Sequence, residues 1–440
     1  MTFPSYDCFK SIDADWLGKV PSHWEVVRLR YLFKRVKRTN CPEKELLSVY
    51  RDYGVIPKNS RDDNHNKPSD DLSPYQLVES GDLVMNKMKA WQGSIAISEY
   101  EGIVSPAYFV YSFSCEGKNS IHSKYVHYLL RSPAYITQYM ARSKGIRVNQ
   151  WDLEPDAFEH IEVLLPTIEE QKAIATFLDR ETQRIDSLIE EKQTFIKLLK
   201  EKRQALISHV VTKGLNSNVE MQDSGIEWIG QVPKHWEKCR VKQASSFITS
   251  GPRGWSDFIS DNGNAIFLQS GDLNNELGLN LAKAKKVSPP DGAEGQRTQL
   301  QLDDVVVCIT GANTGRVALV KELDSTVYIN QHLSLIRPIG EKVRSKYLAY
   351  FLSSEAGSRY YALEQYGLKE GLSLKNVAET PLMLPPVSEQ TSIEKYLDKA
   401  LATLSSLVTS VEESIHLLKE RRTSLISATV TGKIDVREAV

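Results

Sequence analysis

The sequence lacks the features that mark secreted, membrane-spanning or metal-stabilised proteins. Its 440 residues include only five cysteines, which are scattered and form no Cys-x-x-Cys pair: Cys8, Cys41, Cys115, Cys239 and Cys308. An odd, dispersed set argues against a disulfide framework or a zinc site and favours a reducing cytoplasm. Apolar runs such as 305–309 are far too short to span a bilayer, and residues 1–10 have no basic stretch followed by an apolar one. We therefore expect a cytoplasmic protein with no membrane segment and no metal.

Positive charge is not in excess either. The chain has 55 Lys and Arg against 56 Asp and Glu, and 41% of its residues are hydrophobic, as in ordinary soluble proteins. This balance argues against a generally basic nucleic-acid binder. Residues 28–38, however, are rich in Lys and Arg and contain no acid. A local basic face is compatible with DNA binding, but such charged runs more often lie on a solvated surface that binds no partner.

Signatures of enzymatic chemistry are missing as well. No Gly-x-Gly-x-x-Gly follows a strand-like run, and Ser427 stands where a phosphate loop ending at Gly432 and Lys433 would need glycine. Residues 288–291 are similar to the Pro-Pro tetrapeptide of amino-methyltransferases, but Asp291 replaces the aromatic that would hold an extruded base. Residues 190–192 fit the end of a nuclease motif, yet they lie in a predicted helix. We find neither a nucleophile–base pair nor a metal-ligand cluster, and the sequence predicts no catalytic site.

What the sequence does contain is a long internal duplication. The segment Trp-x-Gly-x-Val-Pro-x-His-Trp-Glu occurs at residues 16–25 and again at 228–237, and residues 196–208 resemble 415–427. Two copies indicate a tandem pair of homologous domains, each followed by a helix. We interpret the Trp segment as a structural clasp, because a catalytic site rarely needs two identical turns. The first Trp segment has no helix before it and the last helix has no Trp segment after it, so the head of the chain is expected to close onto its tail.

Each copy ends in a predicted long helix, over about 167–211 and 387–430. Pro166 and Pro385 stand near the starts, and Gly214 and Gly432 are the expected stops. Apolar residues in these helices alternate at three- and four-residue steps, which is the heptad pattern of a coiled coil. The expected coiled-coil residues are Ile185, Ile189, Ile196, Leu199, Leu206, Leu397, Leu401, Leu404, Val408, Val411, Ile415, Leu418 and Leu425. An antiparallel pair would relate the two copies by a pseudo-twofold axis.

The predicted fold class is α+β, with two similar mixed α/β domains separated by two long helices that form an antiparallel coiled coil. The mixed domains differ most in sequence, but residues 93–96 align with 315–318 in one constant frame, which indicates one fold carrying two sequences. The predicted boundaries are 1–166 for the first mixed domain, 167–214 for the first helix, 215–385 for the second mixed domain and 386–432 for the second helix.

Aligned loops in the two mixed domains carry the candidate DNA-contacting residues. Basic, amide and aromatic side chains on such loops suit phosphate contact and base-edge hydrogen bonding. An exposed polar hairpin turn is the plainer alternative for each loop. The candidates are Lys87, Lys89, Trp91 and Gln92 in loop 86–93, Thr310, Asn313, Thr314 and Arg316 in loop 310–316, Arg253 in loop 250–255, and Gln331 and His332.

As a set, these motifs resemble the specificity subunit of type I restriction–modification systems over essentially the whole chain. The resemblance rests on the duplicated Gly-x-Val-Pro-x-His-Trp-Glu segment, on the Leu-Pro and Glu-Gln pairs that precede and open each long helix, and on the basic clusters 200–203 and 419–422. Residues 81–93 with 102–108 resemble one recurring type of target-recognition domain. The second domain is similar to another type through residues 249–252, 269–272 and 310–316.

The resemblance implies a role without catalysis. Two target-recognition domains would each read one half of a gapped, bipartite site in double-stranded DNA, and the helices would space them. The subunit would hold no cofactor of its own. It would recruit two modification subunits, which bind S-adenosylmethionine and methylate adenine, and restriction subunits, which use ATP to translocate and cleave DNA.

Two alternatives remain open from the residues alone. A self-sufficient DNA enzyme would need a methyltransferase or nuclease module, which the sequence does not reveal. A scaffold that bridges other partners through its coiled coil would bind no DNA. Strongly salt-dependent DNA binding would exclude the scaffold, and incubation of the purified protein with labelled S-adenosylmethionine would test for the enzyme.

Overall fold

The structure, a computed structural model, describes residues 4–51, 53–61, 67–147, 150–290, 292–365 and 371–439. The chain divides into two compact units: unit 1 comprises Met1–Lys192 and Glu412–Val440, and unit 2 comprises Gln193–Val411. Both units combine strands with helices, so the predicted α+β class is confirmed. Among the described residues, no helix is both long and apolar enough to cross a membrane.

In unit 1 a series of short elements precedes the first long helix. Its strands are β1 (Phe9–Lys10), β2 (Val20–Pro21), β3 (Glu25–Arg28), β4 (Phe33–Val36), β5 (Leu47–Tyr50), β6 (Gly54–Pro57), β7 (Gln76–Val78), β8 (Leu83–Asn86), β9 (Ile95–Ile97), β10 (Gly102–Val104), β11 (Tyr108–Phe113), β12 (Lys144–Arg147), β13 (Gln150–Asp152) and β14 (Glu162–Leu165). Its helices are α1 (Leu29–Leu32), α2 (Cys115–Ser120), α3 (Ser123–Leu130), α4 (Pro133–Arg142) and α5 (Pro155–Glu159). Strands β10 and β11 are separated at Pro106, which has no N–H to give to a sheet.

Unit 2 repeats this organisation after the long helix α6 (Ile168–Lys213). Its strands are β15 (Met221–Asp223), β16 (Gln231–Pro233), β17 (Glu237–Arg240), β18 (Ser245–Ser250), β19 (Ala265–Leu268), β20 (Lys285–Val287), β21 (Val305–Cys308), β22 (Val317–Leu319), β23 (Val327–Ile329), β24 (Leu333–Pro338) and β25 (Pro381–Leu384). Its short helices are α7 (Ala293–Thr298), α8 (Ser345–Ser353), α9 (Glu355–Glu364) and α10 (Leu374–Glu379), and the long helix α11 (Val387–Val430) follows them in the chain. Gln331 and His332 lie in the short loop between β23 and β24.

Each unit contains a four-stranded antiparallel sheet with the same strand order. The order is β4-β11-β8-β9 in unit 1 and β18-β24-β21-β22 in unit 2. Successive side chains of an inner strand enter different cores: Leu83 and Val84 lie in two separate apolar clusters, and so do Val305 and Val306. Because both faces are covered, β8 and β21 are nearly continuous apolar runs in the sequence. The two mixed domains therefore share one fold, as their aligned frame predicts.

The long helices contribute opposite halves to the two units. Residues 168–192 of α6 and 412–430 of α11 belong to unit 1, and the remaining halves belong to unit 2. An antiparallel pair produces this exchange of halves. In unit 1 the two helices meet where Arg422 Nε lies 3.0 Å from Asp186 Oδ1. Both helices end at the predicted glycines, since Gly214 (φ +75°) and Gly432 (φ +70°) adopt the left-handed conformation that terminates a helix.

All of the expected coiled-coil residues are at least partly buried. Near the end of α11, Ile426 and Val430 are buried more deeply than Leu425, because they join the core of unit 1. There the heptad spacing gives way to packing against the mixed domain. The buried members of the set are Ile185, Leu199, Leu397, Leu401, Leu404 and Ile415. The partly buried members are Ile189, Ile196, Leu206, Val408, Val411, Leu418 and Leu425.

The repeated Trp segment is fastened to the first turn of a long helix in each unit. In unit 1 the indole N–H of Trp24 donates to Glu170 Oε1 at 3.0 Å, and His23 Nε2 lies 2.9 Å from Oε2. The hydroxyl of Tyr6 also donates to Glu170 Oε1, at 2.7 Å. The segment is therefore a structural clasp that places the mixed domain on its helix.

The head of the chain closes onto its tail within unit 1. A Cβ on Gly432 would lie 2.4 Å from Pro21 Cδ and 3.3 Å from the Trp24 ring, so the end of α11 abuts the first Trp segment. Lys433 Nζ donates to Lys19 O at 3.1 Å, and Val436 is buried in the same core. The end of α6 meets the second Trp segment in the same way, at Gly214. The predicted closure is confirmed in these contacts.

Candidate nucleic-acid interface

In unit 1 the candidate residues lie in the loop that joins β8 to β9. Ala90–Gln92 form a 3-10 turn that ends at Gly93, whose φ is +91°. A Cβ at Gly93 would lie 2.8 Å from Ile136 Cδ1 of α4, so both the backbone conformation and the close packing favour glycine there. The loop is consequently a defined structure held against α4.

The side chains of this loop divide into exposed and anchored groups. Lys89 and Gln92 are exposed to solvent. The indole of Trp91 donates to Met88 O at 3.0 Å, which fixes the ring over its own loop. Lys87 Nζ lies 3.6 Å from Asp152 Oδ2 of β13. Lys89 and Gln92 therefore present a cation and an amide on a fixed loop, as phosphate and base-edge contacts require.

In unit 2 the corresponding loop joins β21 to β22, and three of its candidate side chains are used to hold it in place. Arg316 Nη1 donates to Leu273 O at 2.9 Å, and Asn313 Nδ2 donates to Ser270 O at 3.1 Å. Thr314 Oγ1 donates to Gly311 O at 2.6 Å within the loop. Arg316 and Asn313 thus tie the loop to residues 270–273, a role that the sequence did not reveal.

The remaining candidates of unit 2 form a more exposed group beside this loop. Thr310 Oγ1 is hydrogen-bonded to His332 Nδ1, and His332 Nε2 lies 3.3 Å from Gln331 Nε2. His332 and Arg253 are exposed. A Cβ at Gly251 would lie 2.0 Å from Ile329 O, so the loop that carries Arg253 passes directly against the end of β23. The fold therefore gathers three separate sequence segments at one edge of the sheet.

The basic run 28–38 is only partly available as a DNA-binding face. Arg38 is used internally, because its Nη1 lies 2.7 Å from Asp82 Oδ2 and its Nη2 lies 3.0 Å from Glu79 Oε2. Arg35 is exposed, and its guanidinium lies 4.2 Å from the centre of the Phe109 ring. Lys34 is exposed as well. The exposed members suit phosphate contact, whereas Arg38 stabilises the sheet.

Unit 2 has an ion pair in the same place, formed by a different strand. Asp304, which aligns with Asp82, accepts hydrogen bonds from Nε and Nη2 of Arg337, both at 2.8 Å. These hydrogen bonds raise the pKa of Arg337. The aspartate before the third sheet strand is therefore a structural residue in both units, because it is buried and paired.

Within the described ranges, no three His, Cys, Asp or Glu side chains lie close enough together to hold a metal ion. Cys308 stands directly before the β21–β22 loop of unit 2, and burial raises the pKa of its thiol. Exposed cations, amides and hydroxyls on fixed loops suit recognition of a polar, negatively charged ligand.

Comparison with known proteins places both units in one family of domains. The family model for the type I restriction modification DNA specificity domain matches residues 21–198 and again residues 233–415. The putative type I restriction enzyme MjaX specificity subunit of Methanocaldococcus jannaschii is 24% identical, with 96% of each chain covered. The type I restriction enzyme StySPI specificity subunit of Salmonella potsdam is 20% identical, covering 95% of this chain and 90% of that protein.

Solved structures share the fold over nearly the full length. A chain from a study of complex assembly and conformational transition in the type I R-M system has a TM-score of 0.69 at 17% identity, covering 93% of this chain and 98% of its own. The crystal structure of the HsdS subunit from Thermoanaerobacter tengcongensis has a TM-score of 0.52, also at 17% identity, covering 94% of this chain and 98% of its own.

Proposed function

The chain belongs to the family of type I restriction modification DNA specificity domains, and on this basis we propose that it is the DNA-reading subunit of a type I restriction–modification complex. Each unit reads one half of a bipartite site in double-stranded DNA. The complex that the subunit joins modifies or cleaves the DNA, and the subunit determines where this happens.

The observation that carries this proposal is the shared position of two unlike loops. The β8–β9 and β21–β22 loops leave equivalent strands of the same sheet, yet one presents Lys89 and Gln92 and the other lies beside Gln331 and His332. One scaffold with different side chains at the same edge is what two different half-sites require. The target is therefore asymmetric as well as bipartite.

Energetics explain why two readers are needed. A good bidentate contact to a base gives about 1–3 kcal/mol of discrimination against the wrong base. A single unit with a few such contacts would discriminate poorly against the many near-matches in a genome. Two readers on one chain multiply their selectivities, because both half-sites must be correct for full binding energy.

The chemistry is assigned to partner subunits. We propose that two modification subunits bring S-adenosylmethionine and methylate adenine, and that restriction subunits bring ATP-driven translocation and cleavage. This chain contributes recognition through its loops and a docking platform for the partners. The proposal rests on family membership and on the recognition chemistry of the loops.

The test is to map adenine methylation in a host that lacks other modification systems and expresses this chain with its modification subunit. A single bipartite, gapped and asymmetric methylated motif is expected. The chain expressed alone serves as the control and should yield no methylation. Methyl transfer by the purified chain without partners would contradict the assignment of chemistry, and salt-insensitive or absent DNA binding by the complex would contradict DNA reading itself.

A further inference from the structure

The β8–β9 loop is the reading loop of unit 1, and the β21–β22 loop is the reading loop of unit 2. A second segment, distant in the sequence, packs directly onto the reading loop of unit 1. This companion segment consists of β12, β13 and Leu153, and it lies between α4 and α5. The backbone N–H of Leu153 donates to Lys87 O at 3.1 Å, which ties the segment to the first residue of the loop. Asp152 then lies 3.6 Å from the Lys87 ammonium. Reading loop and companion segment are thus one continuous surface.

The same tie occurs in unit 2, so it belongs to the shared fold. The backbone N–H of Leu372, which lies between α9 and α10, donates to Ile309 O at 2.7 Å. Next to it, Gly371 and Thr310 form an isolated antiparallel bridge at the start of the reading loop. A leucine anchors a companion segment beside the reading loop in both units. The architecture therefore provides each reader with two segments.

In unit 1 the companion segment adds an aromatic ring to the surface. The rings of Trp151 and Trp91 have centroids 5.2 Å apart and an interplanar angle of 40°. Trp91 is fixed by its hydrogen bond to Met88 O, so it positions the ring of Trp151 in turn. Both rings remain partly exposed, and Met88 beside them is 42% exposed. This pair is not closed into a core, and it leaves apolar surface on the loop that carries Lys89.

The charged side chains near the two rings indicate which kind of ligand binds over them. Lys89 on the reading loop and Lys144 on β12 are both exposed. Partly exposed rings on a surface that also carries exposed ammonium groups complement a DNA groove, where base edges and thymine methyl groups lie between two phosphate backbones. An apolar protein partner would leave these cations without counter-charges.

We propose that Trp151 is a specificity-determining residue for the first half-site, and that its ring, together with that of Trp91, contacts base edges while Lys144 contacts phosphate. This inference rests on the proposed function and names a reading element within it. The position also varies as a reading position should: counting back from the anchoring leucine, Trp151 corresponds to Glu370 in the second copy of the sequence. The anchoring leucine is the same in both copies of the sequence, and the residue type two places before it differs. Glu370 itself lies outside the described residues.

The experiment compares methylation by complexes that carry Trp151→Ala, Trp151→Phe or the unaltered chain. For each, methylation is measured at sites that deviate by one base in the first half-site and at sites that deviate in the second. Trp151→Ala should raise relative methylation of first-half deviants by about tenfold, the effect of losing one good base contact. Second-half deviants should stay within about twofold, and Trp151→Phe should retain most of the discrimination.

Tyr100→Ala is the matched control, because Tyr100 is 43% exposed in the turn at the opposite end of β9 and should leave both half-sites unchanged. If Trp151→Ala prevents assembly, Trp151→Leu is measured by the same ratio. An equal fall at matched and deviant sites would show that Trp151 only stabilises the loop and would overturn the inference. Failure of the unaltered complex to methylate any bipartite site would instead refute the proposed function.

Discussion

The indole of Trp24 donates its N–H to the carboxylate of Glu170 at 3.0 Å, although the two residues lie far apart in the sequence. In the second copy, Trp236 makes the same bond to Glu389 at 3.2 Å. In both copies the glutamate stands in the first turn of a long helix, where the N-terminal end of the helix favours a negative charge. Each clasp therefore joins a mixed domain to its helix through a carboxylate that the helix itself stabilises.

Replacing Glu170 by Ala should destabilise unit 1 by about 3 kcal/mol, because it leaves the buried donors of Trp24 and Tyr6 without an acceptor. Glu170 is only 4% exposed. Urea denaturation followed by circular dichroism would measure the loss. Glu169→Ala is the matched control, since Glu169 is exposed in the same turn and its loss should cost less than about 1 kcal/mol. Equal effects of the two variants would show that only helix-end charge matters.

The seam of the long helices gives a second test. Leu404 is 8% exposed and lies in the main core of unit 2, so Leu404→Lys would bury an unpaired ammonium and should destabilise that unit by about 3–5 kcal/mol. The urea concentration at the midpoint of unfolding and the yield of methylated sites should both fall. Leu407→Lys on the same helix is the control, because Leu407 is 43% exposed and its replacement should change stability by about 0.5 kcal/mol at most. An unaltered Leu404→Lys complex would contradict the expected coiled-coil role.

Much of the scaffold could be predicted because its signals are local or repeated. The helix ends are marked by Pro166, Gly214 and Gly432, which adopt backbone conformations that few other residue types favour. The clasp could be interpreted as structural from repetition alone, since two identical segments are more useful to a scaffold than to a single site. The heptad spacing predicted the buried positions along most of the helices. At Leu425 it was less accurate, because the neighbouring Ile426 is the residue that packs into the core of the mixed domain.

The reading surface was harder to predict, because its contacts join distant segments through the backbone. The bond from Leu153 N–H to Lys87 O involves no distinctive side chain and leaves no pattern in the sequence. Arg316 was expected to contact DNA on the strength of its charge, but its hydrogen bond to Leu273 O depends on where two loops meet. Whether any of the candidate residues touches DNA stays a prediction.

The geometry separates two candidates that the sequence treats alike. Gln92 is exposed, so Gln92→Ala should relax recognition at one base position of the first half-site, with the discrimination falling by about 1–3 kcal/mol. Arg316 holds its loop to Leu273 O, so Arg316→Ala should weaken recognition at several positions of the second half-site together. Methylation profiles of single-base deviants would measure both. A change confined to one base position for Arg316→Ala would show direct base contact instead.

Unit 1 should lose stability in mild acid through a partly buried histidine, His127. Burial lowers the pKa of His127 to about 3, and the neighbouring Arg131 adds to this shift. In the unfolded chain the imidazole of His127 takes up a proton near pH 6.5, whereas in the folded chain it stays neutral until about pH 3. The free energy of unfolding is therefore highest above pH 6.5 and decreases as the pH falls toward 3. Between pH 7 and pH 5 the loss should be about 2 kcal/mol, at about 1.4 kcal/mol per pH unit below 6.5.

Urea denaturation at both pH values should show this difference in the native chain and not in His127→Gln. His416→Gln is the control, because the side chain of His416 is 72% exposed on α11 and its loss should leave the pH dependence in place. The same acid sensitivity in His127→Gln would assign the effect to other groups.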